Sequence, residues 1–126
     1  PVTNVPWFNP SQPMTAELRE RFTKAYPEET FELNVGFTFE AILVAADAAH
    51  RAGGVQSEAL VAALRTTDIK EHVMTGGPIK FSEEGQNVGI VSAAVQNRAD
   101  GPVVVLPADI ATEKPVFPMP SWKERG

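Results

Sequence analysis

The residues with chemical potential are few and dispersed: two histidines, His50 and His72, two adjacent acidic pairs, Glu28-Glu29 and Glu83-Glu84, and the spaced pair Glu40 and Asp47. A metal centre needs several convergent ligands and a general base needs a partner, and two isolated imidazoles offer neither. His50, at the end of an expected long helix, is read as a favourable cation at the helix C-terminus, and His72 is expected to be exposed. Glycosidases use two facing carboxylates, but adjacent acidic residues in loops point apart into water, so both acidic pairs are read as solvated. Glu40 and Asp47 are different, because seven residues on a helix bring them back to one face of a largely apolar element. There they can brace neighbouring backbone, the preferred reading, or present one carboxylate to a ligand amine.

Two further groups have the chemistry of a binding cleft. Trp7, Phe8 and Asn9 set two rings and an amide on an irregular segment, where a ring supplies contact area and an amide both donates and accepts; core packing is the alternative. Asn34, expected just before a helix that starts near Gly36, can point its amide at a ligand beside helix N–H groups that favour a carboxylate, or serve as a cap-like contact. The sequence carries no GxSxG elbow, no GxxxxGK[ST] cradle, no GxGxxG turn and no HExxH or EF-hand spacing. No catalytic or metal-binding residue is assigned, and no cofactor is expected.

Composition narrows the class. At 126 residues and 43% hydrophobic the chain has enough apolar material for a core at the common domain size. The longest apolar run, Ala41 to Ala46, is ended by Asp47, far short of the ~20 residues a membrane helix needs. Sixteen Asp and Glu against eleven scattered Lys and Arg leave no basic stripe for phosphate backbones, so nucleic acid is not an expected partner. The absence of cysteine excludes disulfides, thiolate metal sites and a thiol nucleophile, while leaving the compartment open.

The elements that would position these groups follow from periodicity and punctuation. Residues 1–13 carry four prolines, which favours extended chain with turns. Leu18, Phe22 and Ala25 or Tyr26 then recur at helical steps from Met14 until Pro27 stops them. FELNVGFTFEAILVAADAAHRAGG begins extended and becomes a helix near Gly36 that ends at Gly53-Gly54. That helix is apolar nearly all round and belongs between other layers. Ser57 is expected to N-cap a third helix, with Glu58 at its positive end and Leu60, Val61 and Leu64 as its buried stripe. VMTGGPIKF and VGIVSAAVQ read as strands, and Asp100-Gly101 predicts an antiparallel hairpin between VGIVSAAVQ and VVVLP. The tail, with Pro115, Pro118 and Pro120, reads as a strap whose Val116, Phe117, Met119 and Trp122 need a groove.

In order, GFTFEAILVAADAAHRAGG, SEALVAALRTT, GGPIKFSEEGQN, VQNRADGPVVVLP and PVFPMPSWKER resemble the C-terminal third of the branched-chain amino-acid (leucine/isoleucine/valine-binding) family, the type I periplasmic solute-binding proteins of ABC importers. The resemblance covers nearly all of the chain. Its most specific pieces are I-K-F-x-x-x-G-Q-N at Ile79 to Asn87 and P-x-P-x-W-x-x-R at Pro118 to Arg125.

The resemblance implies an α/β chain: the C-terminal portion of a periplasmic binding protein-like I fold, bilobal and Rossmann-like, with helices followed by a terminal β-hairpin. Residues 1–88 would belong mainly to one lobe and 89–126 to the other, with crossings near Val5 and near Gln86 to Val91. The family's N-terminal portion is not in this sequence, so the resemblance implies a fragment or a truncated relative. Uncovered sheet edges and helix faces would then favour self-association or strand exchange. Ligand contacts carry over to Trp7 and Phe8 at the crossing and to Asn34 and Phe37 at the start of the long helix. Asn34 falls about where branched-chain binders place an aromatic ring, and an amide there suits a more polar ligand or an aromatic acid. The expected activity is reversible capture of an amino acid or related carboxylate, without enzymatic chemistry, in the periplasm or outside the cell, with delivery to a membrane permease. The alternative from the same fold is a ligand-sensing domain of a receptor or regulator.

Overall fold

The computed structural model describes residues 1–118, 121 and 123. Its elements run β1 (Val2–Pro6), α1 (Pro13–Ala25), α2 (Leu33–Ala52), α3 (Ser57–Arg65), β2 (Ser92–Arg98) and β3 (Gly101–Leu106). Among the described residues this is a mixed α/β chain with three helices and a three-stranded antiparallel sheet ordered β1-β2-β3. It divides into two units: Pro6–Ser92, which holds the helices, and Pro1–Val5 together with the chain from Ala93 onward. The first five residues thus group with the hairpin, and the later boundary falls after Ser92 rather than after Val88.

In the helical unit each helix follows from its local chemistry. Pro13 opens α1, at a position where a missing N–H costs nothing. α2 begins at Leu33, three residues earlier than the sequence predicts, so Asn34 lies inside the first turn instead of preceding it. No glycine, proline or turn cluster interrupts Leu33 to Val35, and Gly36 is tolerated within a helix that packing stabilises. α2 ends as expected: Gly53 takes a φ of 68°, its N–H reaches the His50 carbonyl at 3.2 Å, and the Gly54 N–H reaches Ala49 at 3.1 Å. α3 has Gln56 and not Ser57 at its N-cap, because the Gln56 carbonyl already accepts the first helical bond, from Leu60. Its buried residue is Ala63, whereas Val61, expected in the buried stripe, is half exposed. Arg51 joins α2 to the end of α3, donating to the Ala63 carbonyl, Thr66 Oγ1, Thr67 Oγ1 and Asp47 Oδ2 at 2.7–3.0 Å. α2 itself is covered on one side, by way of Gly36, Glu40 and Ala48, and Ile42 is 64% exposed.

The expected strand VMTGGPIKF does not form. Gly76, at a φ of 132°, breaks the extended course and Pro78 lacks a donor, so only isolated bridges remain: Phe8 with Met74, Ile69 with Ile79, Gly76 with Ile90 and Phe81 with Asn87. Residues 73–77 are nevertheless held on both sides. Asn9 N–H donates to Val73 and Thr75 N–H to Trp7, each at 2.8 Å, while Val91 N–H donates to Thr75 at 3.1 Å and Gly77 N–H to Gly89 at 2.9 Å.

The core of this unit is Phe8, Val73 and Met74, with Trp7, Met14, Leu18, Phe31, Leu33 and Phe39 packed around it. α2 reaches that core through Gly36, where an added Cβ would lie 2.6 Å from both Met74 Sδ and Phe8 Cε1. Alanine normally improves a helix by about 1 kcal/mol over glycine, but overpacking costs about 1–3 kcal/mol. Gly36→Ala is therefore expected to lower stability by up to about 2 kcal/mol, read as a fall in the urea midpoint; a rise would show that the helix has room to retreat.

In the hairpin unit β2 and β3 pair antiparallel as predicted, with Val95 opposite Val104 and Arg98 opposite Gly101, around the turn Ala99-Asp100. Ala93, Val95, Val104 and Val105 are buried. The strap is held by its main chain: the Gln96 amide donates to the Val116 carbonyl at 3.0 Å and accepts from the Val116 N–H at 2.9 Å. Phe117, expected in a groove, is 92% exposed, and Val116 is exposed too. A backbone grip leaves side-chain direction free, so the apolar character of the strap does not dictate its burial. Met119 and Trp122, and the end of the P-x-P-x-W-x-x-R stretch, lie outside the described residues.

Candidate functional site

The four residues expected at a ligand all lie in the helical unit. Phe8 is 1% exposed, stacked on Phe31 with centroids 4.4 Å apart and meeting Trp7 edge-on at 5.7 Å. It is a core ring in this conformation. Trp7 is half-buried, while Asn34 and Phe37 are exposed. Gly36 and Glu40, four residues apart, carry the buried face of α2; Asn34 and Phe37, three apart, share a different face. The start of α2 thus separates a core pair, Trp7 and Phe8, from an accessible pair, Asn34 and Phe37. Glu32, the N-cap residue, makes no side-chain cap.

A groove of about 280 Å³ lies elsewhere, between α3 and the turn at 81–85, lined by Val61, Leu64, Arg65, Phe81, Glu83 and Glu84 among others. None of the four expected residues lines it. Glu83 and Glu84 are exposed, as expected, and the Ser82 hydroxyl holds the Glu84 carboxyl below its usual range. Glu28 and Glu29 are likewise exposed, and so is His50 in the last turn of α2.

His72 overturns its expectation: it is 3% exposed. Its Nδ1 lies 2.8 Å from Glu40 Oε1 and its Nε2 lies 2.9 Å from the Gly77 carbonyl. The same Glu40 oxygen accepts the backbone N–H groups of Val73 at 3.1 Å and Met74 at 2.8 Å. Glu40 therefore braces backbone, the reading preferred from sequence, while Asp47 pairs with Arg51 at 2.7 Å. The hydrogen bond to Glu40 raises the His72 pKa above its ordinary 6.5; burial opposes the rise, and the Glu40 charge and Gly77 carbonyl add to it.

His72 was hidden because its partner is 32 residues away. The available signal was Glu40 itself, a carboxylate inside an apolar helix, which requires donors from somewhere in the fold. No group of three or more His, Cys, Asp or Glu suited to a metal occurs among the described residues, and no helix among them is long and apolar enough to cross a membrane. No family model matches the sequence, and no curated protein matches it.

Proposed function

We propose that this chain is part of an extracytoplasmic solute-binding receptor of an ABC importer, which captures a small amino acid or related carboxylate reversibly and hands it to a membrane permease. The observation that carries the reading is the course of the chain. It leaves one unit at Val5-Pro6 and returns at Ser92-Ala93, through β1 and β2, which are neighbours in one sheet. Paired neighbouring connections suit two bodies that hinge, and the motifs at Ile79 to Asn87 and in the hairpin resemble those of such receptors. Asn34 and Phe37 supply an accessible amide and ring at the start of α2, where helix N–H groups favour a carboxylate. Exposed apolar residues such as Ile42 fit a helix that gains cover from further polypeptide or from a second copy.

The test is a thermal-shift screen of amino acids and aromatic acids on the complete polypeptide that carries this sequence. A ligand at a hundred times its Kd adds about 2.7 kcal/mol, read as a rise of several degrees in Tm. Asn34→Ala is expected to weaken that shift at least tenfold in ligand concentration, by about 1.4 kcal/mol or more. A flat screen up to millimolar ligand, or an affinity indifferent to Asn34, would overturn the site.

A further inference from the structure

We propose that Glu40 and His72 form a proton-operated brace that fixes the run 72–77 and, through it, both segments by which the chain enters and leaves the helical unit. The geometry assigns the protons. A carbonyl only accepts, so Nε2, facing Gly77 O at 2.9 Å, must carry hydrogen. Glu40 Oε1 already accepts from Val73 and Met74, so Nδ1 at 2.8 Å must donate as well. Both nitrogens are donors only in the imidazolium, which is neutralised by the Glu40 carboxylate. Loss of the proton turns one ring nitrogen into a lone pair facing another lone pair, on the carboxylate or on the carbonyl, in a site with little water to intervene.

The consequence passes along the backbone. His72 ties the two ends of its run, one nitrogen to α2 and the other to Gly77. Between those ties, the Val73 carbonyl receives Asn9 N–H and Thr15 Oγ1–H, Thr75 exchanges bonds with Trp7 and Val91, and Gly77 N–H donates to Gly89. The segments 7–9 and 89–91 are the last of this unit before the chain passes to the other at Val5-Pro6 and Ser92-Ala93. Glu40 is the ionisable group facing His72 from α2. The flanking segments present Trp7, Phe8, Asn9, Gly89, Ile90 and Val91, none charged, α1 presents the Thr15 hydroxyl, and Glu71, just before the run, is exposed.

The raised pKa sets the sign. The brace is complete below the ordinary histidine range and is released as pH rises through the His72 value. This inference is independent of the receptor reading: it rests on the Glu40 and His72 contacts alone.

The experiment is an NMR titration of the protein from pH 5.5 to 9, following the His72 ring nitrogens and the exchange protection of backbone amides corrected for intrinsic rates. His72 is expected to titrate above 6.5, and protection at Asn9, Val73, Met74 and Val91 to fall about tenfold or more with the same midpoint while the α3 amides hold. Glu40→Gln, which keeps an acceptor and loses the charge, is expected to lower the midpoint, and His50→Gln to leave it unchanged. His72 titrating at or below its ordinary value, protection indifferent to pH, or equal losses throughout α3 would each overturn the proposal. The unmodified protein decides these outcomes even if a variant at Glu40 fails to fold.

Discussion

Glu40→Ala is expected to lower stability by about 3–5 kcal/mol, the cost of removing one partner from a buried ion pair. A single oxygen of Glu40 holds the His72 ring and two backbone N–H groups, with the two side chains only 4% and 11% exposed. Truncation leaves three donors without their acceptor and an imidazolium without its counterion. Against the about 5–15 kcal/mol of a typical domain this is a large share, and it corresponds to a fall of roughly 10–20 °C in Tm. The gap between wild type and Glu40→Ala should narrow between pH 6 and pH 9, because the wild type loses the stabilisation of the pair as His72 loses its proton, whereas the variant has no pair to lose. Denaturant midpoints at both values check this, and a loss below 1 kcal/mol at pH 6 would show that water substitutes for the carboxylate. His72→Ala combined with Glu40→Ala should cost less than the sum of the two, since the pair acts as one unit.

Phe8→Ala is expected to cost a similar amount, about 3–5 kcal/mol, through the cavity it leaves. Its ring is 1% exposed, stacked on Phe31, and approached so closely by α2 that Gly36 has no room for a side chain. Phe31 in turn lies under the Arg19 guanidinium, 5.0 Å from the ring centroid, and meets Phe22 edge-on at 5.6 Å, so the stack continues onto α1. Filling the hole would require the first turn of α2 to move toward Met74. The measurement is equilibrium unfolding without any ligand present. A near-neutral Phe8→Ala would place the ring at a ligand surface, the role its position beside Trp7 first implied; a large loss places it in the core.

What was legible in sequence was what local chemistry decides. Gly53-Gly54 stops α2 because only glycine accepts the left-handed turn cheaply, and Asp100-Gly101 marks a hairpin whose strands are only two residues apart. Pro13 and Pro27 bound α1 for equally local reasons. What was not legible depends on partners far along the chain. His72 reads as an isolated, exposed imidazole because no partner stands near it in the chain, yet α2 delivers a carboxylate to it from 32 residues away. VMTGGPIKF has strand composition, but Gly76 passes so near the Gly89 carbonyl that an added Cβ would lie 2.2 Å from it, and the run forms single bridges to Phe8, Ile69, Asn87 and Ile90 instead of one ladder. Phe8 was ambiguous for the same reason: a proline-rich segment reads as loop, and only its pairing with Met74 makes it interior.

The grip of Gln96 on Val116 has a consequence for how this molecule can change over generations. Because the amide recognises main-chain atoms alone, the fastening point is blind to the identity of the residue it holds, provided that residue is not proline, whose nitrogen has no hydrogen to give. Substitutions at position 116, and on the outward-facing Phe117 beside it, escape the selection that a buried anchor would impose. Gln96 itself, buried in the sheet, has no such latitude, because the grip needs a side chain that both donates to and accepts from the same main-chain residue.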